Sequence, residues 1–308
     1  MEPFSQVTVV GTGLIGGSFG LALKQKKLAR RIVGIDRPEV LRRAMEMGAI
    51  DEGVSSDDDP RSVCAKSEVV FLATPVGGIL DWMEKLAPLL PAQTLLTDAG
   101  STKQAIASRA KDLFGAAAGE RFLPGHPMAG KEHSGIEHAD AGLFSGAAWI
   151  FTTEPAAPSS FTPAGTPAAK RFVEAVGALG ARVIVMPAER HDEVCAWVSH
   201  LQQMVATAMA GALAEYADGA KDADLFGIGG RALREMTRIA GSPYSMWRDI
   251  ALTNTANLEE ALLKMEQRLA HIRESLRSPA LREEFEAANR FVRDHRGRHD
   301  QRDERSKR

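Results

Sequence analysis

Gly11-Thr12-Gly13-Leu14-Ile15-Gly16-Gly17-Ser18 stands between the β-branched run Val7-Thr8-Val9-Val10 and an apolar pattern through Phe19, Leu21, Ala22 and Leu23. A short β-branched run, a glycine turn and helical spacing, in that order, predict strand, turn and helix. Each glycine then serves a separate mechanical purpose. Gly11 makes the tight turn, Gly13 lets a pyrophosphate approach the backbone, and Gly16 lets helix and strand pack closely. The helix N-terminus after the turn presents unpaired N–H groups and the positive end of its dipole to phosphates. A second strand, Ile32 to Ile35, ends in Asp36, at the spacing of about 20 residues where an acidic side chain meets the adenosine ribose. The pattern predicts a dinucleotide site built from Gly11, Gly13, Leu14, Ile15, Gly16 and Asp36. A carboxylate at Asp36 repels a 2′-phosphate, so NAD is expected over NADP, while the neighbouring Arg37 pulls the other way.

Further strand–helix units come next. Glu68 to Ala73 reads as a buried strand, and Thr74, Pro75 and Val76 lie at its C-terminal end, where open α/β sheets gather ligands. Thr94 to Thr97 is the next strand, leading into Asp98-Ala99-Gly100-Ser101-Thr102-Lys103. Ser101 is placed to cap the following helix, and also where a nicotinamide and a substrate would meet; the two roles are compatible. The segment Gly125-His126-Pro127-Met128-Ala129-Gly130 puts a histidine beside glycines, and histidine accepts a proton near neutral pH. Ala148 to Thr153 reads as a strand, residues 154–167 as a Pro/Ala/Ser-rich insertion or linker, and Arg182 to Met186 as the last strand of the sheet. The first domain is expected to span residues 1–187.

The rest is helical. From His191 to Ala217 the chain is apolar on most faces, with one polar stripe, Ser199, His200, Gln203 and Thr207, that either bonds to itself or lines a pocket. Arg231, Arg234 and Arg238 come after a glycine-rich loop; they form a solvated face or, for Arg238, which lies one turn from apolar neighbours, an inward-facing carboxylate fork. Leu258, Leu262, Met265, Leu269 and Ile272 alternate four and three apart, a stripe suited to core packing or dimerisation. A helical substrate and dimerisation domain is expected at 188–293, and a charged, disordered tail at 294–308.

Bulk properties narrow the partners. A formal net charge of −2 over 308 residues gives no bulk attraction to nucleic acid or a membrane surface. Two cysteines without metal spacing predict neither a disulfide framework nor a metal site. With no signal-like N-terminus and no spanning segment, a cytoplasmic enzyme is expected.

The motifs jointly carry a resemblance. Gly11 to Gly16 with Asp36, DAGSTK at Asp98 to Lys103, GHPMAG at Gly125 to Gly130, SHL at Ser199 to Leu201, TRIA at Thr237 to Ala240 and MWRD at Met246 to Asp249 together resemble the prephenate/arogenate dehydrogenase family, in order and spacing, up to about residue 290. The resemblance implies an N-terminal Rossmann-type domain, an all-α C-terminal domain that forms a homodimer, and an active site in the cleft between the two domains. It implies NAD-dependent oxidative decarboxylation of prephenate to 4-hydroxyphenylpyruvate in tyrosine biosynthesis, with arogenate dehydrogenation to tyrosine as the alternative. By resemblance His126 takes the alcohol proton, Ser101 hydrogen-bonds the same hydroxyl, Arg238 holds a carboxylate, Trp247 shapes the far end, Glu132 gates the cleft, and Lys131 and His200 join the substrate site. Many prephenate-specific members carry a second histidine where this chain has Gln203, which donates and accepts but cannot become cationic. A non-catalytic NAD-binding regulator is opposed by the joint presence of Ser101, His126 and Arg238. A 3-hydroxy acid dehydrogenase would employ a lysine base, and the polar stripe holds none.

Overall fold

The main sheet is parallel, with strands β1 (Val7–Val10), β2 (Ile32–Asp36), β3 (Glu52–Ser55), β4 (Val69–Leu72), β5 (Leu95–Asp98) and β6 (Phe122–Leu123) in the order β3-β2-β1-β4-β5-β6. The computed structural model describes residues 1–131, 133–153, 167–220 and 228–306. Strand order reverses between β1 and β4, paired in register from Val7 opposite Val69 to Val10 opposite Leu72. That reversal opens a crevice beyond the strands' carboxyl ends. Helices α1 (Leu14–Gln25), α2 (Pro38–Glu46), α4 (Val76–Leu86) and α5 (Gln104–Phe114) come after their strands, with a short α3 (Arg61–Cys64) and α6 (Ala118–Arg121) between.

Alternation along the strands builds two cores. Val9 and Phe71 point to one face, where Phe19, Phe144, Trp149, Phe151 and Phe172 gather, with the Phe19 and Phe71 rings 4.4 Å apart. Val10, Val70 and Leu72 point to the other, against Ile79, Met83, Leu86 and Ile106. A parallel sheet must be covered on both faces, and this one is.

The strand expected at Arg182 to Met186 is not the last strand of that sheet. It is β9 (Arg182–Pro187) of a separate three-stranded sheet, where it pairs in parallel with β8 (Ala148–Thr153). On its other side β8 runs antiparallel to β7 (Gly125–Pro127). The connecting helix α7 (Pro167–Ala178) and β8 bury Phe172, Trp149 and Phe151 in the first core, so the small sheet packs as an adjunct rather than an extension. Residues 154–166 of the expected insertion lie outside the described residues.

Helices α8 (Ala188–Cys195), α9 (Leu201–Ala220), α10 (Arg231–Ala240), α11 (Tyr244–Thr253), α12 (Thr255–Ser275) and α13 (Ala280–Ser306) complete the chain, with a π-helical turn at Ala196–His200 between α8 and α9. The last described strand ends at Pro187, and the first compact unit runs from Met1 to Leu258, with Glu259–Arg308 forming the second. Within the first unit, specific bonds tie the later helices to the sheet's own helices. Asp192 accepts the N–H groups of Lys103 (2.7 Å) and Gln104 (2.9 Å) at the start of α5, and Asp249 accepts that of Gly77 (2.8 Å) in the first turn of α4. The tail expected to be disordered from Asp294 is instead the end of α13, which runs to Ser306. Arg, Glu, Asp and Gln are tolerated in a helix, and no proline interrupts this stretch. In the Leu258 stripe, Leu262, Met265 and Ile272 are half-buried and Leu269 is exposed.

Candidate active site

A cleft of about 1220 Å³ opens along the carboxyl ends of β1, β2 and β4 and is lined by Gly11, Gly13, Leu14, Ile15, Asp36, Arg37, Thr74, Pro75 and Val76 at one end. Ser101, His126, Lys131, Ser199, His200 and Trp247 line it further along. The structure thus brings together most of the residues expected from sequence.

Gly11 adopts φ +87°, a left-handed conformation that glycine takes without penalty, and its N–H donates to the Ile35 carbonyl at 2.9 Å. A side chain at Gly16 would lie 1.9 Å from the Gly11 carbonyl oxygen, so this glycine serves packing of α1 on β1 and does not line the cleft. Gly13 is the opposite case, because nothing lies within 4 Å of where its side chain would start. That open space over a helix N-terminus is what an approaching pyrophosphate requires. Asp36 is oriented by Thr12, whose N–H (2.7 Å) and hydroxyl (3.2 Å) both donate to its Oδ2. Among the described residues Thr74 Oγ1 and Trp247 Nε1 are buried in this cleft with no hydrogen-bond partner, so each has a donor to offer a ligand.

His126 sits on β7, opposite Ile150 of β8, and is 8% exposed. Its Nδ1 lies 2.8 Å from His191 Nε2, and His191 Nδ1 lies 2.7 Å from Asp192 Oδ1. Burial, then the neighbouring His191, Lys103 and His200, hold His126 well below the ordinary histidine value, so it is neutral at neutral pH. Burial likewise lowers His191, against the opposing pull of Asp192, and brings His200 down to about 4. Asn254 bridges this group, donating to the Asp192 carbonyl at 2.8 Å and lying 3.2 Å from His200 Nδ1. Behind His126, Lys103 is wholly buried, paired with Asp98 and donating to the Gly125 carbonyl at 2.6 Å, while Asp98 accepts the N–H groups of Gly100 (2.8 Å) and Gly125 (3.0 Å).

Three expectations need correction. Ser101 does not cap α5, because the Asp192 carboxylate takes that place. Gln203 is buried but does not line the cleft, and it donates to Thr207 Oγ1 at 3.2 Å. The polar stripe therefore divides: Ser199 and His200 face the cleft, and Gln203 and Thr207 bond to each other. Arg238 is not inward-facing, since α10 buries no side chain and Arg238 lies half-exposed, 3.8 Å from Glu235. An apolar neighbour one turn away marks a helix face without saying what that face meets. Glu132 lies outside the described residues.

Sequence reasoning missed His191, Asp192, Asn254 and the Asp98–Lys103 pair. His126, His191 and Cys195 also bring ligand-type atoms within 4.8 Å of one another, which the cysteine spacing did not reveal. Two nitrogens bound tetrahedrally to one zinc would stand about 3.3 Å apart. The 2.8 Å between Nδ1 and Nε2 is a hydrogen bond, and burial pushes the Cys195 thiol up to about 12, away from thiolate. Among the described residues no helix is long and apolar enough to cross a membrane.

Residues 19–185 match the family model for the prephenate dehydrogenase nucleotide-binding domain, and residues 187–291 that for the prephenate dehydrogenase dimerization domain. The chain is 34% identical to prephenate dehydrogenase of Bacillus subtilis (strain 168) over 80% of its length, and 31% identical to that of Lactococcus lactis subsp. cremoris (strain MG1363) over 81%. It spans 64% and 65% of the length of those two relatives. The crystal structure of A. aeolicus prephenate dehydrogenase in complex with hydroxyphenyl propionate and NAD+ superposes with a TM-score of 0.78 at 31% identity, over 95% of this chain and 96% of that one.

Proposed function

The chain belongs to the prephenate dehydrogenase family, and from that premise we propose that it oxidises prephenate with NAD, releasing the ring carboxylate as carbon dioxide and forming 4-hydroxyphenylpyruvate. The observation that carries the proposal is that His126, neutral and buried, lines the same cleft as the Gly11–Gly16 turn and Asp36. NAD would be held by the open backbone at Gly13, the N-terminus of α1, Asp36 and Thr74, and when bound supplies the acceptor for the hydride. Neutral His126 takes the proton of the ring hydroxyl as the hydride departs, and the Ser101 hydroxyl hydrogen-bonds the same oxygen. As carbon dioxide leaves, its bonding pair stays in the ring, which becomes aromatic. His126 then returns the proton to the oxygen, now phenolic.

At the substrate's other end the cleft is lined by Lys131, whose ammonium donates to the His138 carbonyl at 2.9 Å and lies 3.4 Å from Asp140, and by the Trp247 N–H, which has no partner among the described residues. The carboxylate-holding role that the resemblance gives Arg238 finds no support in the single chain's geometry. The test is reduced-dinucleotide formation with purified enzyme, supplied in turn with prephenate and arogenate, each with NAD and NADP. Turnover is expected with prephenate and NAD. Faster turnover of arogenate would transfer the assignment to that substrate, and preference for NADP would overturn the role of Asp36.

We further propose that the chain pairs with a second copy through residues 187–291, in the cytoplasm. The dimerization-domain match supports this, as does α10, which buries no side chain, with Met236 and Tyr244 exposed nearby. Sedimentation equilibrium at micromolar concentration is expected to give twice the 33.2 kDa chain mass. A single-chain mass would refute it.

A further inference from the structure

The dehydrogenase mechanism uses one nitrogen of His126 and leaves unused the buried polar chain behind it. That chain consists of the His191 ring, the Asp192 carboxylate and the hydrogen bond that joins both to His126 Nδ1. Its protons can be placed from the outside inwards. Asp192 Oδ1 and Oδ2 accept the Lys103 and Gln104 N–H groups at the start of α5, so both oxygens of this carboxylate are engaged as acceptors. An ionised carboxylate has no proton to give, so His191 Nδ1 must carry the hydrogen in its 2.7 Å contact with Oδ1. His191 is buried and neutral, so its Nε2 is bare and acts as acceptor. The donor in the 2.8 Å contact must then be His126 Nδ1. With its one hydrogen on Nδ1, neutral His126 keeps the lone pair on Nε2.

We propose that His191 and Asp192 are positioning residues that lock His126 in the Nδ1–H tautomer, so that Nε2 is the nitrogen that takes the substrate's proton. The source of that proton rests on the dehydrogenase reading above; the tautomer itself does not. The chain acts a second time once Nε2 is protonated. The imidazolium then donates through Nδ1 to His191, and the Asp192 charge stabilises the new cation through the intervening ring. Without that link the cation would lose its hydrogen-bonded path to the Asp192 charge while still facing the buried Lys103 ammonium.

Two measurements test the lock. Nitrogen-15 spectra of histidine-labelled wild-type protein, with His126 assigned by its loss in His126→Asn, are expected to show hydrogen on Nδ1 and a bare Nε2 at neutral pH. Hydrogen on His126 Nε2, or a doubly protonated His191, would overturn the proposal. This readout needs no substrate, so it stands apart from the fate of the assigned reaction, and it needs no variant of the relay to fold.

The kinetic arm compares two substitutions. His191→Leu removes the acceptor and is expected to lower kcat by about 10- to 100-fold, part of the ~100- to 10,000-fold that a positioned base contributes. KM for NAD and for prephenate should stay within about twofold, because the ring touches neither. His191→Gln places an amide oxygen where Nε2 stood and still accepts from Nδ1, so it should recover kcat to within about fivefold of wild type. Equal rates in the two variants, or a rise in KM at unchanged kcat, would show a merely structural role and overturn the proposal. Absence of turnover in the wild type would instead defeat the assigned reaction and leave the tautomer measurement to decide the lock.

Discussion

Replacing His126 with asparagine is expected to lower kcat by about 100- to 10,000-fold, the range a positioned general base contributes, with dinucleotide affinity close to wild type. Asparagine keeps a polar group of similar reach on β7 but cannot take up a proton at neutral pH. The cofactor end of the cleft is built by other segments, from Gly11 to Ile15, Asp36 and Thr74 to Val76, so binding there should be insulated from the change. The pH dependence gives a second signature. A base works only when unprotonated, so the rate is full above its pKa and falls as pH falls through it. Burial, His191, Lys103 and His200 all push His126 down. The acid limb of kcat/KM should therefore lie below the ordinary histidine value of about 6.5, and it should vanish in His126→Asn. Steady-state rates between about pH 5 and 8, the span over which histidine ordinarily titrates, measure both effects. Wild-type kcat in the variant, or an acid limb above the ordinary histidine value in the wild type, would remove His126 from the base role.

His126 was legible in sequence while His191 was not, and the difference lies in where the information is carried. The Gly11–Gly16 turn and Asp36 encode their role locally: one turn geometry, one strand length and one spacing fix it. His126 sits between glycines and beside Pro127, a loop-like setting that stands out against strand and helix patterns. Its partner is 65 residues away in α8, and only the fold brings the two ring nitrogens to 2.8 Å. A His-Asp pair just ahead of the apolar stretch from Val194 onward was the available signal, because buried polar groups need partners. The polar stripe misled for another reason. Spacing of three and four residues assumes about 3.6 residues per turn, whereas the π-helical turn at Ala196–His200 inserts an extra residue. One residue of slip rotates the rest of the helix by about 100°, which separates Ser199 and His200 in the cleft from Gln203 and Thr207 outside it. Arg238 failed because helical spacing describes a face and not its neighbour.

Asp98→Ala is expected to destabilise the fold by about 3–5 kcal/mol, the range for removing one partner of a buried ion pair. The Lys103 ammonium is wholly buried, and without Asp98 the hydrogen bond left to it among the described residues is that to the Gly125 carbonyl. Burial already pushes Lys103 below the ordinary lysine range, and Asp98 is the strongest influence holding it up. The substitution also orphans the N–H groups of Gly100 and Gly125. Lys103→Met should be milder, because Asp98 then keeps both backbone donors. The double substitution Asp98→Asn with Lys103→Met should lose clearly less than the sum of Asp98→Ala and Lys103→Met, since a buried pair replaced as a unit by uncharged groups is often near neutral. Urea unfolding of the three variants measures this. A loss under about 1 kcal/mol for Asp98→Ala, far short of the range for a broken buried pair, would show that the pair is not a structural tie. The pair also fixes the base: Asp98 and Lys103 hold both the N–H and the carbonyl of Gly125, the residue before His126. Whatever fraction of Asp98→Ala remains folded should therefore turn over more slowly than wild type, because β7 loses the two bonds that set where the imidazole stands.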